Sequence, residues 1–489
     1  MTETTGLFLG AGASYELGMP LVWELTEELK RWLTPKKLRQ FNSNWTMHGS
    51  GLPEAVIEDL AQALVRPELH YEAILGFLEV QFRRRNDDIG EAYHTLYSWL
   101  VEVVYHLLWH RQVKNASFLS AHLSLFDGFK ALVERETSLW VFSLNHDVMV
   151  EMIAARLSIP IHHGFGTETV ALPRRDATGR KIGDIRGLVL PEVDIASAAM
   201  RFPYPAQPGI NLLKIHGALD IFTFRDGKDL LKLVPEGVTP ADVAEVLRAA
   251  NQDLIYAEPR APGGQFRVLN EIAYANDAGE MQFLRRTLLA GAFKFDTRSN
   301  QVSPRQLLDV FRERLDAVGK LVCIGYGFGD LHINDIIRRW LETSAERRLE
   351  VVNPGPNVVP ANLLHLAPQV TLAPISASAW FDQYAGITRT PEEQVRSRLS
   401  MTLRRLGPEG AHKAQESFVQ AMRKRWSNDL AEALRALPMV DGRPDFSAIG
   451  DPRAWTERRF GADPKTPEAF NAALLAFLES QTEDQVEKP

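Results

Sequence analysis

The 489-residue sequence holds one cysteine, Cys323. A single thiol excludes an intrachain disulfide framework and any zinc site built on several thiolates, and it makes a reducing cytoplasm the default location. Apolar runs long enough for a membrane span of about 20 residues are missing, so no membrane association is expected. The opening MTETT has no basic n-region or signal-peptide core. An excess of positive charge is missing too. Lys and Arg total 55 against 62 Asp and Glu, and the net charge of −7 offers nucleic acid no bulk attraction. Internal repeats and low-complexity tracts are absent. The rest is ordinary: 45% hydrophobic and 24% charged, with chain enough for two or three domains.

Strand signals are scarce early in the chain. Residues 5 to 10 read as a first strand, and then the pattern turns helical from Leu21 to about Glu134, with apolar residues at spacings of three and four. Further strands are expected at SLWVFSLN (138 to 145), NLLKIHG (211 to 217), DLIYAEP (253 to 259), KLVCIGYGFGD (320 to 330) and LEVVNP (349 to 354). Helices are expected at 148 to 157 and 333 to 343, whereas the Gly-, Pro- and Arg-rich residues 160 to 210 read as loop. Strands alternating with helices predict an α/β fold, a Rossmann-like doubly wound parallel sheet. A large helical insertion occupies about 24 to 135, within a domain spanning 1 to 385. Residues 386 to 489 form a separate, mainly helical and locally basic C-terminal region, with a polar tail.

The polar and glycine residues fall at the ends of those strands, where doubly wound sheets bind ligands. In LFLGAGASYELGMP, residues 7 to 20, a strand delivers Gly10-Ala11-Gly12-Ala13-Ser14 to a helix start, a common cradle for phosphate. The third glycine of a dehydrogenase fingerprint is missing, since Tyr15 stands there, and no second strand with an acidic end follows. Asn145 and Asp147 in SLNHD suit a site, and equally a helix cap. His216 in KIHG is either a satisfied core residue or a base that titrates near neutral pH. Gly325, Gly327 and Gly329 let backbone approach a ligand. Asn353 either bonds a ribose or starts a turn.

The order and spacing of these five motifs resemble the sirtuins. GAGASYELGMP matches Gly-Ala-Gly-x-Ser, three residues, Gly-x-Pro; SLNHD lies at their Asn-x-Asp motif and KIHG at their catalytic His-Gly. IGYGFGDLHIN is similar to the glycine motif of the bacterial sirtuin-like branch used in anti-phage defence, and VVNP takes the place of the adenine-ribose asparagine. The resemblance covers roughly residues 5 to 380, apart from most of the insertion. It implies NAD as substrate and cleavage of the nicotinamide–ribose bond. By that carry-over Gly10, Ala11, Gly12 and Ser14 line the pyrophosphate and ribose, and Asn145 and Asp147 flank the nicotinamide ribose. His216 is the general base, Gly325, Tyr326 and Phe328 close the adenosine side, and Asn353 takes the adenine ribose.

Two departures shape the expected chemistry. Deacylating sirtuins carry four zinc-binding cysteines, and they have Asp-Phe-Arg where Leu21-Val22-Trp23 stand here. Both argue against deacylation and for water as acceptor, with no zinc. Gly327 also replaces a serine common in that branch. The resemblance thus implies an NAD glycohydrolase (NADase), a hydrolase effector of abortive infection held inactive until triggered. The implied partners are further copies in a homo-oligomer, or a defence protein such as an ATPase or phage-sensing component. The alternatives are a non-catalytic NAD or ADP-ribose sensor, an ADP-ribosyltransferase or a cyclase.

Other features carry less. His106 and His110 are four apart on a helix but lack the glutamate of a metalloprotease. His162 and His163 fall in a loop on the active side. The runs RRR (83 to 85) and MRKRW (422 to 426) read as solvated helix faces or as contacts for a partner.

Overall fold

Short runs of Leu, Val, Ile and Phe are buried on both faces, as in GLFL, WVFS, NLLK and LVCI, and this is the pattern of a parallel sheet covered on two sides. The computed structural model describes residues 4 to 486, apart from 137, 204–205, 226, 257–267, 289–303, 356–357, 452–454 and 456–465. The chain divides after Ile387 into two units.

The first unit contains, in chain order, β1 (Thr5–Leu9), β2 (Leu139–Ser143), β3 (Ile161–His162), β4 (Thr169–Arg175), β5 (Lys181–Leu190), β6 (Ile210–Lys214), β7 (Ile221–Phe224), β8 (Asp229–Val234), β9 (Glu271–Ala275), β10 (Met281–Arg286), β11 (Lys320–Ile324), β12 (Arg348–Val352) and β13 (Val370–Ala373). Seven of these form an all-parallel sheet in the order β13-β12-β11-β1-β2-β6-β3. Leaving aside the two-residue edge strand β3 and renumbering within the sheet, this is the 3-2-1-4-5-6 order of the Rossmann fold. The chain reverses its direction of growth between β1 and β11. A doubly wound sheet offers its ligand crevice at such a switch point, beyond the carboxyl ends of the two strands.

Between β1 and β2 the described secondary structure is all helical, in segments that include Val22–Trp32, Tyr71–Arg83 and Asp88–Lys114. The expected insertion is present. Helices also follow at Met149–Leu157 and Leu331–Glu342, within a residue or two of their predicted starts.

The sequence reading of 160 to 210 as loop is corrected. This stretch contains β3, β4, β5 and a short helix, Glu192–Ala196. β4 and β5 open a six-stranded antiparallel sheet, β4-β5-β8-β7-β10-β9, which the periodicity did not reveal. The strand expected at 253 to 259 is also corrected in its described part. Helix Pro240–Gln252 runs into it, and residues 254 to 256 are irregular; 257 to 259 lie outside the described residues.

The second unit is mainly helical, with Pro391–Arg405, Gly407–Arg435 and Pro467–Val486. Its core is small: Leu399, Phe418, Leu474, Leu475 and Leu478. The residues read as a polar tail continue the last helix as far as Val486. Arg423, Lys424 and Arg425 are exposed. Among the described residues no helix is long and apolar enough to cross a membrane.

Candidate functional site

β1, β2, β6 and β11 are parallel neighbours, so their four carboxyl ends deliver the glycine loop, the Asn-His-Asp turn, His216 and the Gly325 loop to one edge of the sheet. The first loop becomes a 3-10 helix, Ala11–Leu17, before the longer helix at Val22. It is closed directly onto the β11 loop. Gly10 N–H donates to Ile324 O at 3.0 Å, Gly12 N–H to Gly325 O at 2.9 Å, and Ala13 N–H to Gly10 O at 2.9 Å.

This packing accounts for the glycines. A Cβ on Gly10 would lie 2.7 Å from Gly325 O, and one on Gly12 would lie 2.7 Å from Gly325 Cα. Gly325 has φ +65, and its Cβ would overlap the backbone of Gly12 and Ala13. Three of the glycines therefore let two strand-end loops touch through their main chains. Gly327 and Gly329 differ: both are exposed, and a Cβ on either would meet nothing within 4 Å. Packing does not require them. Phe328 between them holds φ +55, a left-handed backbone that a side chain adopts at a cost of about 1–3 kcal/mol.

Asn145 joins the β2 turn to the first loop. Its amide donates to Gly10 O at 2.9 Å and to Ser14 Oγ at 3.1 Å. Asp147 Oδ1 accepts from Met149 N–H at 3.1 Å, one residue ahead of the N-cap Val148 of helix Met149–Leu157. His216 follows β6, and Gly217 behind it is required: φ is +80, and a Cβ would overlap Thr287 O. Ser14, Asn145, Asp147 and His216 are each buried, and His216 is only 3% exposed. The site is closed over its polar groups.

Other predicted residues are tied to the surrounding frame. The Tyr326 side chain is core: its ring packs edge-on to Phe8, and its hydroxyl donates to Asn334 Oδ1 at 2.8 Å. Asn353 donates to Tyr326 O at 2.9 Å and so supports the glycine loop from β12. Asn334 completes the frame by donating to Phe328 O at 2.8 Å. Cys323 is buried in β11, and burial pushes its thiol well above the usual range. His106 and His110 are exposed, and among the described residues no group of three or more His, Cys, Asp or Glu side chains gathers to hold a metal.

Sequence reasoning missed the groups that hold the site in shape. Lys214, two residues before His216, donates to the carbonyls of Asn145 (3.4 Å) and Asp147. Its ammonium is buried and lies 3.6 Å from Glu151. Glu151 is also 3.6 Å from Lys232, which pairs with Asp220, giving a buried network of two cations and two carboxylates. Burial raises the Glu151 carboxyl above its ordinary value, offset in part by Lys214 and Lys232. Burial alone would lower Lys232, but Asp220 and Glu151 outweigh it and hold the ammonium above its ordinary range. His163 lies against this network and is kept well below 6.5 by burial and then by Lys232, Lys214 and His162. His163 also lines a cleft of about 380 Å³ with His162, Arg201 and Gln207.

Asp330 is the second omission. It ends the IGYGFGD stretch and caps helix Leu331–Glu342, its Oδ1 accepting from His332 and Ile333 N–H at 3.2 and 3.3 Å. Its other oxygen, Oδ2, faces His216 Nε2 at 3.4 Å. Anchors also come from outside the sheet. Glu16 accepts from Ser376 and Ser378, and Arg111 of the helical insertion donates to Gly18 O at 3.3 Å.

Fold and site together define a Rossmann-type α/β protein whose polar side chains converge at the carboxyl ends of the central strands. No family model and no curated protein matches the chain. Among solved structures, an ADP-ribose complex of a mutant Sir2 homologue is similar, with 9% identity and a TM-score of 0.34, over 78% of this chain and 91% of that one. A Sir2 homologue–NAD complex has 11% identity and a TM-score of 0.32, over 78% and 88% of the two chains.

Proposed function

We propose that this chain is an NAD-cleaving enzyme, an NAD glycohydrolase that transfers the ADP-ribosyl group to water. The observation that carries this reading is the bonding of Asn145 to Gly10 O and Ser14 Oγ at the switch point of the sheet, with His216 after β6 facing Asp330 of the loop that follows β11. In this account the loop of Gly10, Ala11, Gly12 and Ser14 takes the pyrophosphate and ribose. Phe328, Asn353 and the main chain of Gly325 and Tyr326 border the adenosine. Asn145 and Asp147 flank the nicotinamide ribose.

The bond from ribose C1′ to the nicotinamide nitrogen breaks, and its electron pair leaves with neutral nicotinamide. The oxocarbenium-like sugar that remains is stabilised by the nearby Asp147 carboxylate. Water attacks C1′ as His216 takes its proton, a contribution on the order of 10²–10⁴-fold for a placed base. The products are ADP-ribose, nicotinamide and a proton.

The buried state of Asn145, Asp147 and His216 supports a further part of the reading, that the enzyme rests closed. An NADase without restraint would destroy its own cell's cofactor pool. We therefore place it in anti-phage defence by abortive infection, opened by oligomerisation or by a partner protein. Arg111 of the insertion holds the Gly18 turn and is the natural point of restraint. Turnover in ¹⁸O-water tests the chemistry: one ¹⁸O in ADP-ribose marks hydrolysis, whereas cyclic ADP-ribose without label, or ADP-ribosylated protein, would overturn it.

A further inference from the structure

Asp330 presents two oxygens to two different partners, and the first fixes the second. Oδ1 is held by the N–H groups of His332 and Ile333 at the start of helix Leu331–Glu342. The carboxylate plane is thereby set by the helix, with Oδ2 turned to His216 Nε2 at 3.4 Å. The backbone at Asp330 is fixed as well. Its carbonyl accepts from the Tyr326 hydroxyl at 3.2 Å, and Asn334 ties Tyr326 to Phe328. The side chains of His216 and Asp330 are 4% and 11% exposed, so solvent screens the pair little.

We propose that Asp330 is the positioning residue for His216, orienting the imidazole with Nε2–H toward Oδ2 and leaving Nδ1 as the basic nitrogen. This inference rests on the reading of His216 as general base. At 3.4 Å the contact is long for a hydrogen bond, and catalytic contacts commonly tighten only when substrate is bound. Once His216 has taken a proton from water, the same carboxylate balances the imidazolium, as the buried aspartate of a hydrolase triad does. The arrangement also joins the two halves of the site. His216 comes from the β6 side of the sheet and Asp330 from the β11 side, so the loop that borders the adenosine reaches the group that activates water.

The test uses Asp330→Asn and Asp330→Ser in the full chain. Asn and Ser are both good helix N-caps, so each variant keeps the cap while losing the carboxylate. The expected result is unfolding midpoints like the wild type, KM for NAD within about threefold, and kcat lowered on the order of 10²-fold or more. Long-range ¹H–¹⁵N spectra of ¹⁵N-histidine-labelled protein give a second readout that needs no turnover, with His216→Ala identifying the resonance. Asp330→Asn should shift His216 away from the Nε2–H tautomer. Wild-type turnover in both variants with an unchanged tautomer overturns the inference. If wild-type protein leaves NAD intact both as purified and under the conditions of phage infection, the proposed function fails, and the tautomer comparison still decides whether Asp330 orients His216.

Discussion

The side-chain amide of Asn145, at the end of β2, donates to the carbonyl of Gly10, at the end of β1, at 2.9 Å. A second bond to Ser14 Oγ makes Asn145 a brace for the loop as well as a candidate substrate contact. Both bonds are buried, and truncation leaves the Gly10 carbonyl with Ala13 N–H as its remaining donor and Ser14 Oγ without the amide. Asn145→Ala is therefore expected to cost about 1–3 kcal/mol in stability. Urea unfolding measures this, and a double-mutant cycle with Ser14→Ala should show coupling of about 0.5 kcal/mol or more.

The glycines separate into two groups. Gly325→Ala places a Cβ against the main chain of Gly12 and Ala13 at positive φ, and should lower stability by about 2 kcal/mol or more. Gly327→Ala meets nothing within 4 Å, so it should fold like the wild type. If Gly327 lies against substrate, its alanine variant raises KM for NAD at unchanged unfolding midpoint. The pair of variants thus distinguishes loop packing from ligand contact.

Lys214 should behave as a structural cation with a functional consequence. Lys214→Met removes donors from the carbonyls of Asn145 and Asp147 and one cation from Glu151, for an expected loss of about 3–5 kcal/mol. Adding Glu151→Leu removes the buried carboxylate that has lost one of its two cations, and should recover part of the stability. It should not restore turnover, because the two carbonyls still lack Lys214. Unfolding midpoints and NAD turnover of the single and double variants check both statements.

Acid sensitivity follows from His163. Its folded-state value is held well below 6.5 by burial, Lys232, Lys214 and His162, so the unfolded chain binds a proton that the folded chain refuses. This contribution to stability is present above 6.5 and is lost as the pH drops toward the folded value, by at most about 1.4 kcal/mol per pH unit. His163→Gln removes this contribution. Midpoints measured just above 6.5 and one unit below should converge in the variant relative to the wild type.

The parallel sheet was legible because its strands are continuous apolar runs that end in Gly, Asn or His. Parallel strands buried on both faces have to read that way. The antiparallel sheet was hidden by composition, since β4 and β5 mix Arg, Lys, Gly and Pro with few buried positions. Its signal lay in the turns. Asp176 and Gly179 close the β4–β5 hairpin, and Asn276 and Gly279 close β9–β10 in the same way. Of the site, the residues at strand ends were legible by type and order. Lys214, Glu151 and Asp330 were not. Lys214 falls inside the predicted strand NLLKIHG, Glu151 inside the predicted helix 148 to 157, and Asp330 at the end of KLVCIGYGFGD. Only the approach of β2, β6, β8 and β11 in space brings them to the carbonyls and imidazole they serve.

The central claim is tested most directly by a mass-spectrometric time course of full-length protein with NAD, run beside Asn145→Ala and His216→Ala, without and with the conditions of phage infection in cells. The account predicts nicotinamide and ADP-ribose from the wild type, and from neither variant. NAD left intact by the wild type under both conditions, or cleaved equally well by His216→Ala, would contradict it.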